Sequence, residues 1–342
     1  MSFRVHAGES PEIAVRRLWG ERTRHARSRL AAPLGGEAVH AVRRDLKRLR
    51  SLLEWVRPRV GRADYHSWRR SLERASGQLA DLRDAQVRLQ TLSRMPVGAR
   101  SGISPRSWNR LACRLRSEVS GWLRRWGQGS RSRRLRERLS GLLREFRSKV
   151  PPGLDWPMLH AGLRDSYRRA RRGLACAQAR PGSSTRHRWR RRIQRLSDQM
   201  APLEPAASPA MAAWAAGLET LRARLGLEHD LWLLRKFLRG PGRDVLASGE
   251  RERLLRVLRV RRRKLAADAL RLGRRLFLLP SSRFLPAFQR LGEARRDSLD
   301  AVDLTDDTWA GREPTPASPA PGILVEGNGS RLPGPDEPIR RR

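Results

Sequence analysis

The spacing of apolar residues is the feature that most constrains the fold of this chain. Between residues 37 and 57 the apolar side chains recur at intervals of three and four, which places them on one face of an α-helix. They are Val39, Val42, Leu46, Leu49, Leu53 and Val56. The same spacing recurs over residues 11–300, whereas strand-like alternation is hard to find. The chain is therefore predicted to be all-α.

Prolines fall between the periodic stretches and divide them into helices. These breakers include Pro33, Pro58, Pro105, Pro151 and Pro181. The predicted helices lie near residues 11–30, 37–57, 64–95, 105–127, 131–148, 156–179, 184–201, 208–239, 247–278 and 281–299. The break VPPGLDWP at residues 150–157 separates two halves of similar length.

The two halves repeat a pattern of histidine and cations. HAVRRDLKRLR begins at His40, and HRWRRRIQRLS begins at His187. When the histidines are aligned, cations and apolar positions correspond along both segments. Downstream, LADLRDAQVRL places Asp84 44 residues after His40, and LGLEHDLWLL places Asp230 43 residues after His187. The shared interval favours an ancestral duplication over a chance match of Arg-rich helices. It predicts two helical bundles related by a pseudo-two-fold axis, with repeat one at about 11–150 and repeat two at about 151–300.

A cationic stripe runs beside the apolar one in the first motif. His40, Arg43, Lys47 and Arg50 line up on the helix, with Arg44 beside them. A solvated face usually alternates the sign of its charges, but this stripe contains no acidic residue. Repulsion between neighbours, a few tenths of a kcal/mol per pair, is therefore uncompensated within the stripe. The arrangement is explained if a bound anion supplies the missing charge, although a solvated charged face is the alternative.

The net charge leads to the same class of partner. The chain has 74 Lys and Arg against 34 Asp and Glu, a formal net charge of +40. A polyanion would relieve this self-repulsion, and the candidates are nucleic acid, an acidic membrane surface and an inorganic polyanion. Arginine dominates the cations, and its planar fork matches phosphate oxygens in a two-point geometry. A GC-rich genome is the other explanation of the arginine content.

The four segments HAVRRDLKRLR, LADLRDAQVRL, HRWRRRIQRL and LGLEHDLWLL resemble the signature segments of the CHAD family, the conserved histidine α-helical domain. The resemblance covers residues of roughly 11 to 300, within a helical domain at 1–302. It implies two four-helix bundles that face each other across a basic groove. It also implies binding of inorganic polyphosphate, no cofactor and an association with polyphosphate granules.

The resemblance assigns the polyphosphate-binding residues in both repeats. In the first repeat they are His40, Arg43, Arg44, Lys47 and Arg50, and in the second they are His187, Arg190, Arg191 and Arg195. LRDSYRRARRGL resembles the helix before the second histidine and adds Tyr167, Arg168 and Arg171. Gln194 departs from the cation expected there, and Ser197 stands where Arg50 stands in repeat one. We therefore expect the two halves to bind phosphate unequally.

Asp84 and Asp230 invite a catalytic interpretation, but the cations around them favour the carboxylate form. We assign them an orienting role through salt bridges to the basic helices. The sequence contains no ExExK motif, no Walker loop and no carboxylate cluster suited to magnesium. The chain is therefore predicted to be a binding module with no catalytic residue, and no metal spacing is apparent among its histidines.

The alternative function is nonspecific nucleic-acid binding, which interleaved aromatic residues would favour. The one aromatic residue in the basic stripes, Trp189, falls on the apolar side.

The remaining features concern the compartment and the C-terminal tail. Cys113 and Cys176 lack the paired spacing of a zinc site, and a reducing cytosol is the default interpretation. No apolar run resembles a signal peptide or a membrane span, so we expect a soluble cytoplasmic protein. Residues 303–342 hold seven of the 22 prolines, with seven acidic and five basic residues, and lack helical periodicity. This tail is predicted to be disordered.

Overall fold

The structure, a computed structural model, describes residues 3–6, 8–127, 130–150, 152–206, 209–284 and 286. Within these residues there are ten α-helices, two 3-10 helices and no β-strand, which confirms the all-α class. The α-helices are α1 (Pro11–Ala31), α2 (Gly36–Val56), α3 (Arg62–Gln78), α4 (Ala80–Ser93), α5 (Pro105–Gly127), α6 (Arg131–Lys149), α7 (Trp156–Ala179), α8 (Ser183–Met200), α9 (Pro209–Arg239) and α10 (Ser248–Leu276). The 3-10 helices span Val97–Arg100 and Ala201–Ala206. The predicted tail lies outside the described residues, as does most of the helix predicted at 281–299, of which residues 281–284 and 286 are helical.

Local chemistry accounts for several of the helix ends. Ser10 precedes Pro11, and its hydroxyl accepts a hydrogen bond from the backbone N–H of Ile13. Asp155 caps α7 in the same way, because its carboxylate accepts from the N–H of Met158 at 2.8 Å. Such caps satisfy donors that have no partner inside the helix.

The prediction of a single helix over residues 64–95 is wrong. The helix breaks at Leu79, between α3 and α4, where the backbone N–H turns to the carbonyl of Gly77. Gly77, two residues before the break, lowers the helix propensity there. The side chain of Leu79 is fully buried, so the break sits in the core and not on the surface. It lets α3 pack in one core while α4 packs against α5 and α9.

The buried apolar residues form three clusters. Residues of α1, α2, α3 and α6 build most of the first, and residues of α7, α8, α9 and α10 build most of the second. The third joins the end of α4 and the first half of α5 to the C-terminal half of α9 and the N-terminal half of α10. The third cluster was not anticipated from the sequence, and the pseudo-two-fold relation between the repeats stays a prediction.

Candidate functional site

Four helices close into a ring around a large basic cavity. Helix α2 contacts α8, α8 contacts α9, α9 contacts α4, and α4 contacts α2. Each repeat thus contributes two helices, and the histidine motifs lie on α2 and α8. The enclosed cavity has a volume of about 1140 Å³. The ring brings the two sequence motifs, which are 147 residues apart in the chain, to one site.

Amphipathic packing explains why α2 and α8 present cations to this cavity. Val42, Leu46 and Leu49 of α2 are fully buried in the first core, as the sequence predicted. Trp189, Ile193 and Leu196 of α8 are fully buried in the second core. The neighbouring face of each helix therefore turns to the cavity.

The cations that line the cavity share an unusual lack of partners. Ten Lys and Arg side chains line it: Arg43, Arg44, Lys47, Arg48, Arg50, Arg83, Arg190, Arg191, Arg222 and Lys236. Within the part of the chain that the structure describes, Arg222 alone among them forms an ion pair, with Glu219. Arg43 instead donates to the backbone carbonyl of Ser76 at 2.8 Å. Arg48 lies over the ring of Phe3, and Lys236 over that of Trp232.

Burial makes these unpaired charges costly. It lowers the pKa of Lys47 to about 8, with Arg190 and Arg43 acting in the same direction and Asp198 opposing them. It also lowers the pKa of Arg43, Arg50 and Arg190, each of which has other arginines nearby. A polyanion in the cavity would offset the repulsion that these shifts report.

The histidines of the site are held neutral. Burial, together with Arg83 and Arg44, lowers the pKa of His40 to about 4. The Nδ1 atoms of His187 and His229 lie 3.3 Å apart, a distance at which the N–H of one neutral ring donates a hydrogen bond to the bare nitrogen of the other. Burial and Arg190 lower the pKa of His229 to about 3, and burial and Arg191 lower that of His187. A bound anion would act in the opposite direction on all three rings.

The carboxylates of the cavity fall into two groups. Glu228 pairs with Arg186 and Arg262, and Glu219 with Arg222, so their charges are already neutralised. Neither Asp84 nor Asp230 forms an ion pair with a described residue, contrary to the salt bridges expected from the sequence.

The protonation of the two aspartates also differs from the sequence-based expectation. Burial raises the pKa of Asp84 against the opposing effect of Arg43. It likewise raises the pKa of Asp230 against Arg190 and Arg83. Desolvation thus outweighs the neighbouring cations that were expected to favour the carboxylate. The two aspartates remain electrostatic neighbours of the cations, without direct contact.

The structure separates the predicted site residues into two sets. Eight of them line the cavity: His40, Arg43, Arg44, Lys47, Arg50, His187, Arg190 and Arg191. The other four do not. Arg195 forms an ion pair with Glu54 at 3.4 Å, and the Tyr167 hydroxyl donates to the carbonyl of Leu279 from a fully buried position. Arg168 pairs with Asp165 at 2.5 Å, and Arg171 donates to the carbonyl of Phe277.

Some cavity residues were missed by the sequence reasoning. Arg48, Arg83, Arg222, His229 and Lys236 all line the cavity. Three of them, Arg222, His229 and Lys236, are spaced at seven-residue intervals in α9, which places them on one helical face. That spacing is a signal the sequence contains, and it identifies α9 as a third basic face of the site.

The described residues hold no group of three or more His, Cys, Asp or Glu side chains suited to a metal ion. Over the same residues, no helix combines the length and apolar character needed to cross a membrane. Cys113 and Cys176 are both free and exposed.

Comparisons with known proteins identify the fold independently. The family profile described as CHAD domain matches residues 17–239. The crystal structure of the CHAD domain from the plant Ricinus communis superposes with a TM-score of 0.62 at 18% sequence identity. The match covers 82% of this chain and 96% of the plant chain, and at that identity it establishes the fold alone. No curated protein matches the sequence significantly.

Proposed function

The chain belongs to the CHAD family, and from this premise we propose that it binds inorganic polyphosphate in the cavity enclosed by α2, α4, α8 and α9. The family is associated with polyphosphate, and the four sequence segments that carry the resemblance lie on these four helices. The proposed activity is binding, with the phosphate chain as ligand.

The observation that carries the proposal is the unpaired basic lining. Ten Lys and Arg side chains surround the cavity, and nine of them lack an ion pair with any described residue. A protein surface normally reduces such repulsion with nearby carboxylates. A linear anion with one negative charge or more per phosphate would supply the missing charge to several of these side chains at once.

The geometry of the lining suits a chain of phosphates. Residues three or four apart on a helix are about 5–6 Å apart, so Arg43, Lys47 and Arg50 present cations at short regular intervals. Arg190 and Arg191 present cations from the opposite repeat. A phosphate chain between them can accept charge-assisted hydrogen bonds from both sides.

Nucleic acid is the competing ligand, and the cavity offers it little beyond phosphate contacts. Single-stranded nucleic acids gain affinity by stacking bases on exposed aromatic rings. Among the described lining residues, Trp232 is the only Trp, Tyr or Phe, and its ring already stacks on His229 and lies beneath Lys236. Trp189 is fully buried in the second core. These features favour polyphosphate.

A titration of the chain with long-chain polyphosphate tests the proposal directly. Arg44 and Arg191 are equivalent in the two repeats, exposed, and free of ion pairs with described residues, so they can be replaced without disturbing the core. We expect Arg44→Gln with Arg191→Gln to weaken binding by about tenfold or more in isothermal titration calorimetry. The matched control is Arg134→Gln with Arg144→Gln on α6, which removes the same charge outside the ring. Equal losses in the two pairs would place binding on the general surface charge and reject the cavity.

Competition at matched phosphate concentration separates the two ligands. Polyphosphate is expected to displace labelled single-stranded DNA from the protein far more effectively than DNA displaces labelled polyphosphate. Equal displacement in both directions would favour nonspecific phosphate binding.

We also propose that this binding places the protein on polyphosphate granules. A fluorescent fusion is expected to form foci in cells that contain polyphosphate and to be diffuse in cells that lack it. The Arg44→Gln, Arg191→Gln variant is expected to remain diffuse in both.

A further inference from the structure

A second basic cavity lies at the C-terminal end of α9 and shares no lining residue with the first. It is formed by the last turns of α9, the loop at residues 240–247 and the first turns of α10, and its volume is about 430 Å³. On α9, Arg235 and Arg239 line this cavity, whereas Trp232 and Lys236 line the first one. The volume falls within the roughly 300–1,000 Å³ of typical ligand pockets.

Arginine dominates the lining of this second cavity. Six arginines contribute to it, with Glu252 as the one acidic side chain: Arg235, Arg239, Arg243, Arg251, Arg256 and Arg259. Among the described residues, Arg243 is the only one of the six with an ion pair, to the adjacent and exposed Asp244. Four guanidinium groups, those of Arg235, Arg239, Arg256 and Arg259, form neither an ion pair nor a hydrogen bond with a described residue.

The walls of the cavity are fixed by packing and hydrogen bonds. Arg251 donates to the backbone carbonyl of Arg243 at 2.7 Å, which ties the loop to α10. Gly242 lies so close to Phe237 that a Cβ there would come within 2.1 Å of the ring, so the loop fits tightly over α9. Leu238 and Leu255 form an apolar part of the lining. The cavity is thus bounded by two helices and a tightly packed loop.

The guanidinium group of Arg235 contains a buried hydrogen-bond donor without an acceptor. Its Nε atom is buried and makes no hydrogen bond with a described residue. Burial lowers the pKa of Arg235, and Arg239 and Arg259 act in the same direction. A buried donor without an acceptor is costly, and an anion in the cavity would accept from it.

We propose that the cavity between the end of α9 and the start of α10 is a second phosphoanion site, sized for a short oligophosphate. The planar guanidinium fork binds two phosphate oxygens at once, and four arginines without an ion pair or a hydrogen bond line this cavity of about 430 Å³. The ligand is either a free short oligophosphate or a few phosphates of a longer chain. The site stands on residues separate from those of the proposed polyphosphate cavity.

Arginine footprinting with tripolyphosphate tests the site in the intact chain. Phenylglyoxal modification is followed residue by residue by mass spectrometry, with and without the ligand. We expect tripolyphosphate to slow the modification of Arg239, Arg256 and Arg259 by about threefold or more, because bound phosphate covers the guanidinium groups. Arg263, an exposed arginine of α10 outside the cavity, is the internal reference. Protection of the three arginines no greater than that of Arg263 would overturn the proposal. Arg44 and Arg191 report separately on the first cavity in the same experiment.

Variants give an independent readout and identify the source of the phosphate. Arg256→Gln with Arg259→Gln is expected to abolish the protection of Arg239, whereas Arg274→Gln with Arg275→Gln, at exposed positions of α10 outside both cavities, removes the same charge and is expected to preserve it. Retained protection in the first variant would also overturn the site. Titration with long-chain polyphosphate then separates the sources. A loss of affinity of about fivefold in the first variant indicates a chain that reaches the second cavity, and unchanged affinity indicates a free short anion.

Discussion

The cationic faces of α2 and α8 come from the same repeated motif, yet their surroundings differ. On α2, neither Arg43, Lys47 nor Arg50 forms an ion pair with a described residue, and only Arg43 makes a side-chain hydrogen bond, to a carbonyl. The equivalent positions on α8 are Arg190, Gln194 and Ser197. Gln194 donates to Asp198 at 2.9 Å, and Ser197 donates to Glu219.

The difference in charge between the repeats extends to one further buried position. Asp198 occupies the position in repeat two that Ser51 occupies in repeat one, and both side chains are buried. Burial raises the pKa of Asp198 to about 6, and Lys47 of the opposite repeat is the first of the groups that lower it. At the two positions where repeat one has Lys47 and Arg50, repeat two thus has neutral side chains that hydrogen-bond to carboxylates. The comparison teaches that α2 supplies most of the uncompensated charge, whereas α8 provides a more nearly neutral wall.

The largest expected effect is the loss of the α2 face. Arg43→Gln, Lys47→Gln and Arg50→Gln together are expected to weaken polyphosphate binding by about 100-fold or more, since each charge-assisted hydrogen bond contributes about 1.5–3 kcal/mol. The salt dependence of binding is expected to fall by about one unit of log–log slope per lost contact. The counterpart on α8 is Arg190→Gln alone, because Gln194 and Ser197 are already neutral. Calorimetry at several salt concentrations measures both.

Thermal unfolding provides the control for this variant. The three side chains repel one another and are desolvated, so their neutral replacements should leave the melting temperature unchanged or raise it. A lower melting temperature together with weaker binding would assign these residues a structural role. An α8 variant as weak as the α2 triple variant would show that the two faces are equivalent.

The second expected effect is a pH dependence that belongs to α2. The pKa of Lys47 is about 8 in the free protein, and a bound polyanion would raise it. Binding then takes up a proton, so affinity should fall by up to about tenfold as the pH rises from 7 to 9. Lys47→Arg keeps the charge but does not titrate in this range, and it is expected to remove the dependence. A decline that persists in Lys47→Arg would assign the proton uptake to another group.

The sequence predicts features that depend on spacing within one helix better than features that depend on contacts between distant segments. The burial of Val42, Leu46 and Leu49 followed from spacing within one helix and is confirmed. The break at Leu79 could not be seen, because Leu72, Ala75, Leu79 and Leu82 continue the three-and-four spacing across it, and all four are buried.

Contacts between distant segments account for the other differences. Tyr167 stacks on Phe284, and its hydroxyl bonds to the backbone of Leu279, more than 100 residues away. Arg195 is used by Glu54 of the other repeat. The sequence of a helix does not show whether a polar side chain lines a cavity or bonds to a group on a distant segment. Motif similarity alone could therefore not separate the cavity residues from these structural ones.

The third expected effect concerns stability in acid and depends on the histidine pair between α8 and α9. The pKa of His229 is about 3 in the folded chain, below its ordinary value of 6.5, so the unfolded chain binds more protons between these values. Its contribution to stability is therefore lost as the pH falls below 6.5. Asp198 acts in the opposite direction, because its pKa is raised to about 6 and the folded chain binds more protons between pH 6 and 3.8.

The difference between wild type and His229→Gln isolates the histidine from Asp198. Between pH 6.5 and 4.5, wild type should lose about 1 kcal/mol more of its free energy of unfolding than the variant, after allowing for solvent screening of this half-buried group. Urea unfolding followed by circular dichroism measures it. His40→Gln on the more exposed α2 side is the matched comparison, with a smaller difference expected. Equal pH dependence in wild type and His229→Gln would mean that the His187–His229 pair is not held neutral.

The smallest expected effect comes from restoring a cation to α8. Gln194→Lys recreates the charge that repeat one has at Lys47, but it places the ammonium beside Asp198, which Gln194 contacts at 2.9 Å. Much of the new charge is therefore used in an ion pair, and we expect polyphosphate affinity to rise by only about threefold. Gln194→Lys combined with Asp198→Asn frees that ammonium, and the combination should raise affinity further than either change alone. A gain in affinity from Gln194→Lys as large as the loss in the α2 triple variant would contradict this account. The low charge of the α8 face would then result from the missing cation alone, without a contribution from the carboxylate of Asp198.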